Sequence, residues 1–376
     1  MAVPIGIAHI VTFALAFGVT ALAIPPVIRL AERRGWVQRP GGRRTHMRPT
    51  PNVGGLALYA GFVAAVLATF ALEHLAPSLR RSSYETLRVG LLLGGATLLF
   101  LVMWLDDVRE LHWLPKFCAE VAAGLIAVGP YLWDQRLHPP DDQAYGVVLT
   151  AFNLPYAGQV HLHNASPWLA IGATVFWLGW MSNTINFSDG LDGLAAGISC
   201  IAALMLALHA LTIAPAAQHT IALLPLALAG ACAAFLRYNF PPARIFMGGG
   251  AELLGYVLGV CAIIGGAKLA TVLLVLGVPI LDVAWLIVAR AAAGRSPMRG
   301  GRDHLHHRLL DLGLSPRQIV VFYYTLSAGF GLLGISGASP AVKLAALILL
   351  LLIGSGTIGY AALTTRSQRR EDTKNI

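Results

Sequence analysis

Apolar runs of about twenty residues recur along this chain, and they constrain its fold more than any other feature. Of the 376 residues, 56% are hydrophobic and 12% are charged, whereas soluble domains carry about 25% charge. A transmembrane helix needs about 20 predominantly apolar residues to cross roughly 30 Å of hydrocarbon. The composition excludes disordered, collagen-like and coiled-coil chains and predicts an all-α integral membrane protein.

Eleven of these runs are long enough to span a bilayer, and they predict a polytopic bundle of about 11 transmembrane helices. They lie at residues 5–30, 53–73, 88–104, 117–133, 168–185, 191–212, 217–236, 251–268, 271–290, 319–335 and 341–363. We expect residues 1–376 to form a single membrane domain, with a cytoplasmic His/Arg loop at 291–318 and a cytoplasmic tail at 364–376. The β-branched and aromatic residues of the longest outer connection predict a small extracytoplasmic hairpin near 138–165.

The lysines and arginines are distributed unevenly among the connections. With eleven spans, one set of alternate connections and the tail hold 21 of the 27 basic residues. Cytoplasmic loops carry an excess of Lys and Arg, so this distribution places the N-terminus outside and the C-terminus in the cytoplasm. It also accounts for the net charge of +9 without a nucleic-acid partner. We expect a multi-pass protein of the inner or plasma membrane.

A pair of aspartates ends the third apolar run, and a lysine follows about ten residues later. These are Asp106, Asp107 and Lys116. An ionised carboxylate within a span costs about 2.5–3.5 kcal/mol, so its placement is informative. Adjacent carboxylates repel each other unless a cation, a basic side chain or a proton intervenes. The pair is either a solvated helix end or a Mg²⁺ or general-base site.

Four side chains bearing oxygen follow the fifth apolar run within ten residues. They are Asn183, Asn186, Asp189 and Asp192. Carboxylate and carboxamide oxygens are hard ligands suited to Mg²⁺. A turn that only joined two spans would need one Asn-Gly or Asp-Gly pair, so this segment indicates a ligand site.

Three histidines within four positions lie in the 291–318 loop, flanked by arginines. His304, His306 and His307 stand between Arg302 and Arg308. Guanidinium groups beside imidazoles suit phosphate recognition. A zinc site is the alternative, although the nearby positive charge disfavours a dication.

Two further loops on the same predicted face are weaker candidates. In the first cytoplasmic loop His46 stands among arginines, which either bind phosphate or only set the topology. Gly248, Gly249 and Gly250 form a glycine run whose backbone N–H groups could cradle a phosphate.

Taken together, these loops resemble those of the polyprenyl-phosphate N-acetylhexosamine-1-phosphate transferases, and the resemblance covers essentially the whole chain. The aspartate pair and Lys116 match that family's aspartate pair and phosphate-binding lysine. Residues 183–195 match its NxxNxxDGLDGLA loop, and HLHHRL matches its histidine motif. This histidine form is closer to the branch using UDP-GlcNAc or a related UDP-HexNAc than to the branch using UDP-MurNAc-pentapeptide. Asp282 also fits a family position, as a structural hydrogen-bond partner or with a direct role.

The resemblance implies transfer of N-acetylhexosamine-1-phosphate from a UDP-sugar to undecaprenyl or another polyprenyl phosphate. GlcNAc-1-phosphate is the group expected before other N-acetylhexosamine phosphates. The products would be a polyprenyl-diphosphate sugar and UMP, at the start of cell-envelope polysaccharide synthesis. Mg²⁺ is the implied cofactor, with Mn²⁺ as the alternative. Membrane lipid is an expected partner, and a homodimer is possible on the sequence alone.

The resemblance also implies roles for individual residues. The implied catalytic residues are Asp106, Asp107, Lys116, His304, His306 and His307. The implied metal ligands are Asn186, Asp106 and Asp107. The implied substrate-binding residues are Asn183, Asp189, Asp192, Arg302, His46 and Gly248.

The chain departs from the family pattern at the eighth run. The family has Phe-Met-Gly-Asp-x-Gly-Ser/Ala there, and its Asp is a magnesium ligand. Residues 246–251 read Phe-Met-Gly-Gly-Gly-Ala, one residue short and without that Asp. Glu252 is the nearest carboxylate, and it would have to reach back past the glycines.

Three alternative functions remain open at this point. One is a phospho-MurNAc-pentapeptide transferase of peptidoglycan synthesis. Another is a catalytically impaired relative that binds its substrates without turning them over. A transporter of an anionic solute is disfavoured, because the ionisable groups gather in loops and not at the bilayer midplane.

Overall fold

The computed structural model describes residues 5–39, 49–138, 143–154, 158–212, 218–266, 269–292, 294, 304–336 and 341–356. The predicted substrate-binding residues His46 and Arg302 lie outside these ranges. The predicted tail at 364–376 and residues 295–303 of the 291–318 loop lie outside them as well.

Fourteen α-helices account for most of the described residues. They are α1 (Ile5–Arg34), α2 (Gly55–Leu75), α3 (Ser83–Arg109), α4 (Trp113–Val128), α5 (Leu162–Ala165), α6 (Pro167–Ser188), α7 (Leu194–Thr212), α8 (His219–Asn239), α9 (Gly250–Ile264), α10 (Leu269–Val275), α11 (Gly277–Ala292), α12 (Leu305–Asp311), α13 (Pro316–Ile335) and α14 (Ala341–Gly356). Each of the eleven predicted spans coincides with one of these helices or, in one case, with two.

Six of the described helices are long and apolar enough to cross a membrane, which makes the chain a multi-pass α-helical membrane protein. They are α1, α2, α3, α7, α8 and α13. A seventh span results if α10 and α11 count as one. Helices α9 and α14 are apolar but shorter.

The ninth predicted span, residues 271–290, is not one straight helix. Helices α10 and α11 meet at Leu276 with a bend of 80°. Pro279 has no N–H to donate to the carbonyl of Val275 four residues earlier, and Gly277 adds backbone freedom at the break. Both features favour a broken helix over a continuous one.

Within the described ranges, three two-stranded antiparallel sheets connect the helices. Strand β1 (Val37–Gln38) pairs with β2 (Thr50–Pro51), and β3 (Leu137–His138) pairs with β4 (Gln143–Ala144). Strand β5 (Ala151–Leu154) pairs with β6 (Gly158–His161), with Ala151 opposite His161. An antiparallel strand pair therefore lies within the region 138–165 predicted as a hairpin, and its extracytoplasmic side stays a prediction.

Helix α9 lies at the centre of the bundle, and all of its residues are buried. A helix that is hydrophobic on every side belongs in a core. Its glycines permit close approach: a Cβ on Gly255 would lie 2.2 Å from the carbonyl oxygen of Met181 in α6. Tyr256 donates to the carbonyl of Ala123 in α4 at 3.1 Å, which ties α9 to a further helix. These contacts fix the N-terminus of α9 between the C-terminal ends of α3 and α6, where the polar motifs converge.

Candidate active site

Asp106 and Lys116 form an ion pair at the junction between α3 and α4. Glu110 ends α3 in a left-handed conformation with φ 50°, which turns the chain so that α4 starts beside the end of α3. Lys116 Nζ then lies 3.0 Å from Asp106 Oδ2, and the N–H of Leu111 donates to Asp106 Oδ1 at 2.7 Å. The side chains of Lys116 and Asp106 keep 32% and 24% of their surface exposed. An anion arriving from solvent can therefore reach this lysine.

A cleft of about 690 Å³ opens beside the ion pair. Its lining includes Trp36, Asn52, Asp106, Asp107 and Lys116. The β1–β2 hairpin supplies one wall of the cleft, and the end of α3 supplies the other. The structure thus brings the predicted aspartate pair and lysine to one surface depression.

An apolar surface adjoins the cleft along the first turns of α4. Trp113, Leu114 and Phe117 are all exposed there, on either side of Lys116. Large apolar side chains beside a cation suit an amphiphile with an anionic head.

Asp107 points away from Lys116 and towards the start of α9. Both of its carboxylate oxygens accept from the N–H of Gly249, at 2.9 and 3.0 Å, and Asn52 donates to Oδ1 at 3.5 Å. A carboxylate is stabilised at a helix N-terminus, where backbone N–H groups lack partners. The glycine run therefore holds an aspartate of this chain, and Gly248, with φ +57°, packs directly against it.

Asn183 and Asn186 lie one turn apart near the end of α6, and each donates to a glutamate on a neighbouring helix. Asn183 Nδ2 donates to Glu120 Oε2 of α4 at 2.8 Å. Asn186 Nδ2 donates to Glu252 Oε1 of α9 at 2.7 Å. Sequence reasoning missed Glu120, although a single acidic residue inside the apolar run of α4 was a signal for it.

The loop from Asp189 to Gly193 joins α6 to α7 and is held in place by several hydrogen bonds. Asp192 Oδ2 accepts from the N–H of Ala243 at 2.8 Å. Gly193 has φ +76°, and its N–H donates to Asn239 Oδ1 at 3.0 Å. Burial raises the pKa of Asp189 well above its usual range, and repulsion from the other carboxylates nearby adds to the shift. An arriving cation would favour the ionised form of Asp189.

Two of the predicted histidines are fixed by buried contacts. His304 Nδ1 lies 3.0 Å from Asp282 Oδ2, and the N–H of Leu305 donates to the other oxygen of that carboxylate at 2.7 Å. His306 packs against the Asp189–Gly193 loop, since a Cβ on Gly190 would lie 2.3 Å from its Nε2. Burial lowers the pKa of His306 well below its ordinary value, so the ring is neutral at pH 7.

The ring of His307 completes this cluster, with its centroid 4.4 Å from that of His306. In the part of the chain that the structure describes, no three His, Cys, Asp or Glu side chains form a metal-binding group. The zinc alternative for the histidines therefore gains no support there. Mg²⁺ has different requirements, because one or two carboxylates with water and substrate phosphates suffice to hold it.

Comparison with known proteins supplies the family. Residues 89–266 match glycosyl transferase family 4. A probable undecaprenyl-phosphate N-acetylglucosaminyl 1-phosphate transferase of Bacillus subtilis is 31% identical over 342 residues, which cover 89% of this chain and 86% of the relative. The chain belongs to glycosyl transferase family 4. The family inferred from the motifs is confirmed.

Both branches of the family are among the relatives. A decaprenyl-phosphate N-acetylglucosaminephosphotransferase of Mycobacterium tuberculosis is 32% identical over 332 residues, covering 81% of this chain and 76% of the relative. A phospho-N-acetylmuramoyl-pentapeptide-transferase of Desulforudis audaxviator is 32% identical over 353 residues, covering 87% of this chain and 97% of the relative.

This member of family 4 has no room for a side chain at its glycine run. A Cβ would lie 2.4 Å from Asp107 Oδ2 at Gly248, 2.3 Å from the Cβ of Met103 at Gly249, and 2.7 Å from the Cα of Gly55 at Gly250. The tight packing accounts for three consecutive glycines at this position. Glu252, the third residue of the following helix, carries the carboxylate nearest to the glycines along the sequence.

Proposed function

We propose that this protein transfers N-acetylhexosamine-1-phosphate, specifically GlcNAc-1-phosphate, from a UDP-sugar to a polyprenyl phosphate such as undecaprenyl phosphate. The products are a polyprenyl-diphosphate sugar and UMP, and the reaction initiates a cell-envelope polysaccharide. One observation carries the proposal. The aspartate–lysine cleft, the Asn/Asp loop and the histidine cluster, which are far apart in sequence, converge at one end of the bundle beside an exposed apolar surface.

The acceptor fits the cleft at the start of α4. The polyprenyl chain would lie along the apolar surface of Trp113, Leu114 and Phe117, and its phosphate would reach Lys116. Asp106, already paired with Lys116, would orient that phosphate or accept its proton. Asp107 serves the same purpose in the alternative assignment. The attacking oxygen belongs to the acceptor phosphate, so the chain has to position it and stabilise charge.

The donor fits the side of the site formed by the Asp189–Gly193 loop and the histidines. Asp189 and Asp192 would line the nucleotide-sugar pocket, and His304, His306 and His307 would hold the diphosphate. Asp282 keeps the His304 ring in one orientation. A histidine held in this way directs a fixed N–H towards its ligand.

The oxygen donors around Asn186 fit Mg²⁺, which prefers carboxylate and carbonyl oxygens. Asn186, Asp106 and Asp107 are the residues that would hold it, and Mn²⁺ takes the same kinds of ligand. When bound, the ion would neutralise the negative charge on the two phosphate groups that must approach each other.

In the membrane we propose eleven spans with the N-terminus outside and the C-terminus in the cytoplasm of the inner or plasma membrane. Helices α6, α9 and α14 and the bent α10–α11 pair would then cross the bilayer together with α4 and the six longer spans. This topology places the candidate site on the cytoplasmic face, where a nucleotide sugar is made. Its support is the concentration of 21 basic residues on that face.

A second candidate is transfer of phospho-MurNAc-pentapeptide, favoured by the relative from Desulforudis audaxviator. The histidine motif argues against it, because that branch tends to have three consecutive histidines. Here the fully buried Leu305 interrupts the run. A catalytically impaired relative is the remaining alternative, motivated by the missing aspartate.

A transfer assay separates these functions. The purified full chain receives undecaprenyl phosphate, Mg²⁺ and either UDP-GlcNAc or UDP-MurNAc-pentapeptide, and both UMP and the lipid product are measured. We expect turnover with UDP-GlcNAc and a loss of about 100-fold or more in Asp107→Asn. Turnover with UDP-MurNAc-pentapeptide alone would favour the second candidate. Absence of turnover with either donor would favour the impaired relative.

A further inference from the structure

Glu252 carries a buried carboxylate oxygen that has no hydrogen-bond partner. The residue lies in the first turn of α9 and is 6% exposed. Its Oε1 accepts from Asn186 Nδ2 at 2.7 Å, whereas no described residue donates to its Oε2. Leaving a buried polar atom unpaired costs about 1–3 kcal/mol, and more for a charged group. Such an atom in a packed core requires an explanation.

The other acids of the site differ from Glu252 in this respect. The two oxygens of Asp106 accept from Leu111 and Lys116, and both oxygens of Asp107 accept from Gly249. Among the described residues, no other buried carboxylate oxygen lacks a hydrogen-bond partner. Among the carboxylates of the described residues, the unsatisfied atom is therefore specific to Glu252.

The protonation state of Glu252 does not remove the problem. An ionised Oε2 needs a donor and a protonated one needs an acceptor, and the described residues supply neither. The charges nearby are mainly negative, because Glu252 interacts electrostatically with Glu120, Asp106, Asp107 and Asp189. In the described ranges, the cation that acts on it is Lys116, which is already paired with Asp106. An additional positive charge would give Glu252 Oε2 a partner and would offset the negative charge of the surrounding carboxylates.

We propose that Glu252 is a direct ligand of the divalent cation, binding through Oε2 beside the carboxamide oxygen of Asn186. Because Asn186 directs its N–H₂ group to Glu252 Oε1, its Oδ1 is left as a second oxygen ligand. Two protein ligands with water and substrate phosphates are a sufficient set for Mg²⁺. The inference rests on the proposed Mg²⁺-dependent transfer. It adds a metal ligand that the glycine run of residues 248–250 cannot provide.

Binding of Mn²⁺ to the purified full chain, followed by electron paramagnetic resonance of the free ion, tests the proposal without requiring turnover. Glu252→Gln removes the charge and keeps the shape of the side chain. Glu120→Gln is the matched control, because Glu120 accepts from Asn183 in the same way on the adjacent turn of α6. We expect Mn²⁺ affinity to fall by about 10–100-fold in Glu252→Gln and by less than about threefold in Glu120→Gln.

Several outcomes would overturn the proposal. Wild-type affinity in Glu252→Gln would mean that Oε2 is satisfied by water alone, and equal losses in both variants would indicate a general effect of charge. If Glu252→Gln fails to fold, cleavage of the wild-type backbone by bound Fe²⁺ with ascorbate tests the proposal instead. Cuts near residues 186 and 252 would support Asn186 and Glu252 as the ligand pair, and their absence would contradict it. UMP release by the wild type, measured separately, shows whether the proposed transfer itself holds.

Discussion

Restoring an aspartate to the glycine run provides a sharp test of the packing around the site. Gly249→Asp recreates the Phe-Met-Gly-Asp sequence, and if the departure from the family pattern is a true lesion, restoring the aspartate should raise activity. The structure predicts the opposite. A Cβ at Gly249 would lie 2.3 Å from Met103 Cβ and 2.8 Å from the Met103 carbonyl carbon, where ordinary contacts begin near 3.4 Å.

The magnitude follows from what would have to move. An overlap of about 1 Å with the Cβ of Met103, whose position the backbone of α3 fixes, cannot be relieved by rotating a side chain. Overpacking of a core costs about 1–3 kcal/mol. An unpaired buried carboxylate would add about 1–3 kcal/mol. Gly249→Ala isolates the first of these costs. The control is Gly329→Ala in α13, where a Cβ meets nothing within 4 Å.

Thermal unfolding in detergent, together with the transfer assay, measures both consequences. We expect the unfolding midpoint to be unchanged or raised in Gly329→Ala, lowered in Gly249→Ala and lowest in Gly249→Asp. Transfer by Gly249→Asp should be no faster than that of the wild type. A Gly249→Asp protein that is as stable as the wild type and more active would refute this account of the glycine run.

Two further predictions concern the histidine cluster. Asp282→Asn should lower kcat for transfer by about 10–100-fold with little change in KM for the UDP-sugar, because the substitution frees the His304 ring without removing it. A change in KM alone would contradict this and would indicate that Asp282 acts only in substrate binding. Because burial lowers the pKa of His306 in the folded chain, the unfolded chain binds a proton there more readily than the folded chain does. Thermal stability should therefore fall as pH drops below about 6.5. His306→Gln should flatten that fall, measured as unfolding midpoints from pH 7.5 to 5.5, and an unaltered slope would contradict the cause assigned here.

The sequence was sufficient to predict the helices, because an apolar run has few alternatives in a bilayer. All eleven predicted runs are helical in the described structure. The bend at Leu276 was not predictable from hydropathy, since Pro279 and Gly277 both occur in continuous transmembrane helices when neighbouring groups compensate. Packing against other helices determines whether the helix breaks at Leu276, and a hydropathy pattern carries no information about this packing.

The motifs likewise predicted which residues gather at the site but not their partners. Glu120 and Asn183 are 63 residues apart in sequence, and Asp282 and His304 are 22 apart. Nothing local in the chain links the members of such pairs. They meet because α4 and α11 pack beside the ends of other helices.

Glu252 shows most clearly where sequence reasoning stopped. Counted along the chain, it lies beyond the glycines and has to reach back to take the place of the missing aspartate. In the structure the first turn of α9 directs its carboxylate sideways to Asn186, so no reach past the glycines is needed. Helical rotation, not distance along the chain, sets which residue faces the site.

In the proposed reaction a phosphosugar, and not a sugar alone, moves from the nucleotide to the lipid. A radiolabel at the β-phosphorus of UDP-GlcNAc shows whether this phosphorus is transferred together with the sugar. With the wild-type chain, polyprenyl phosphate and Mg²⁺, we expect the label to enter the lipid as the diphosphate and unlabelled UMP to be released. Label recovered in released UDP, or no labelled lipid at all, would contradict it.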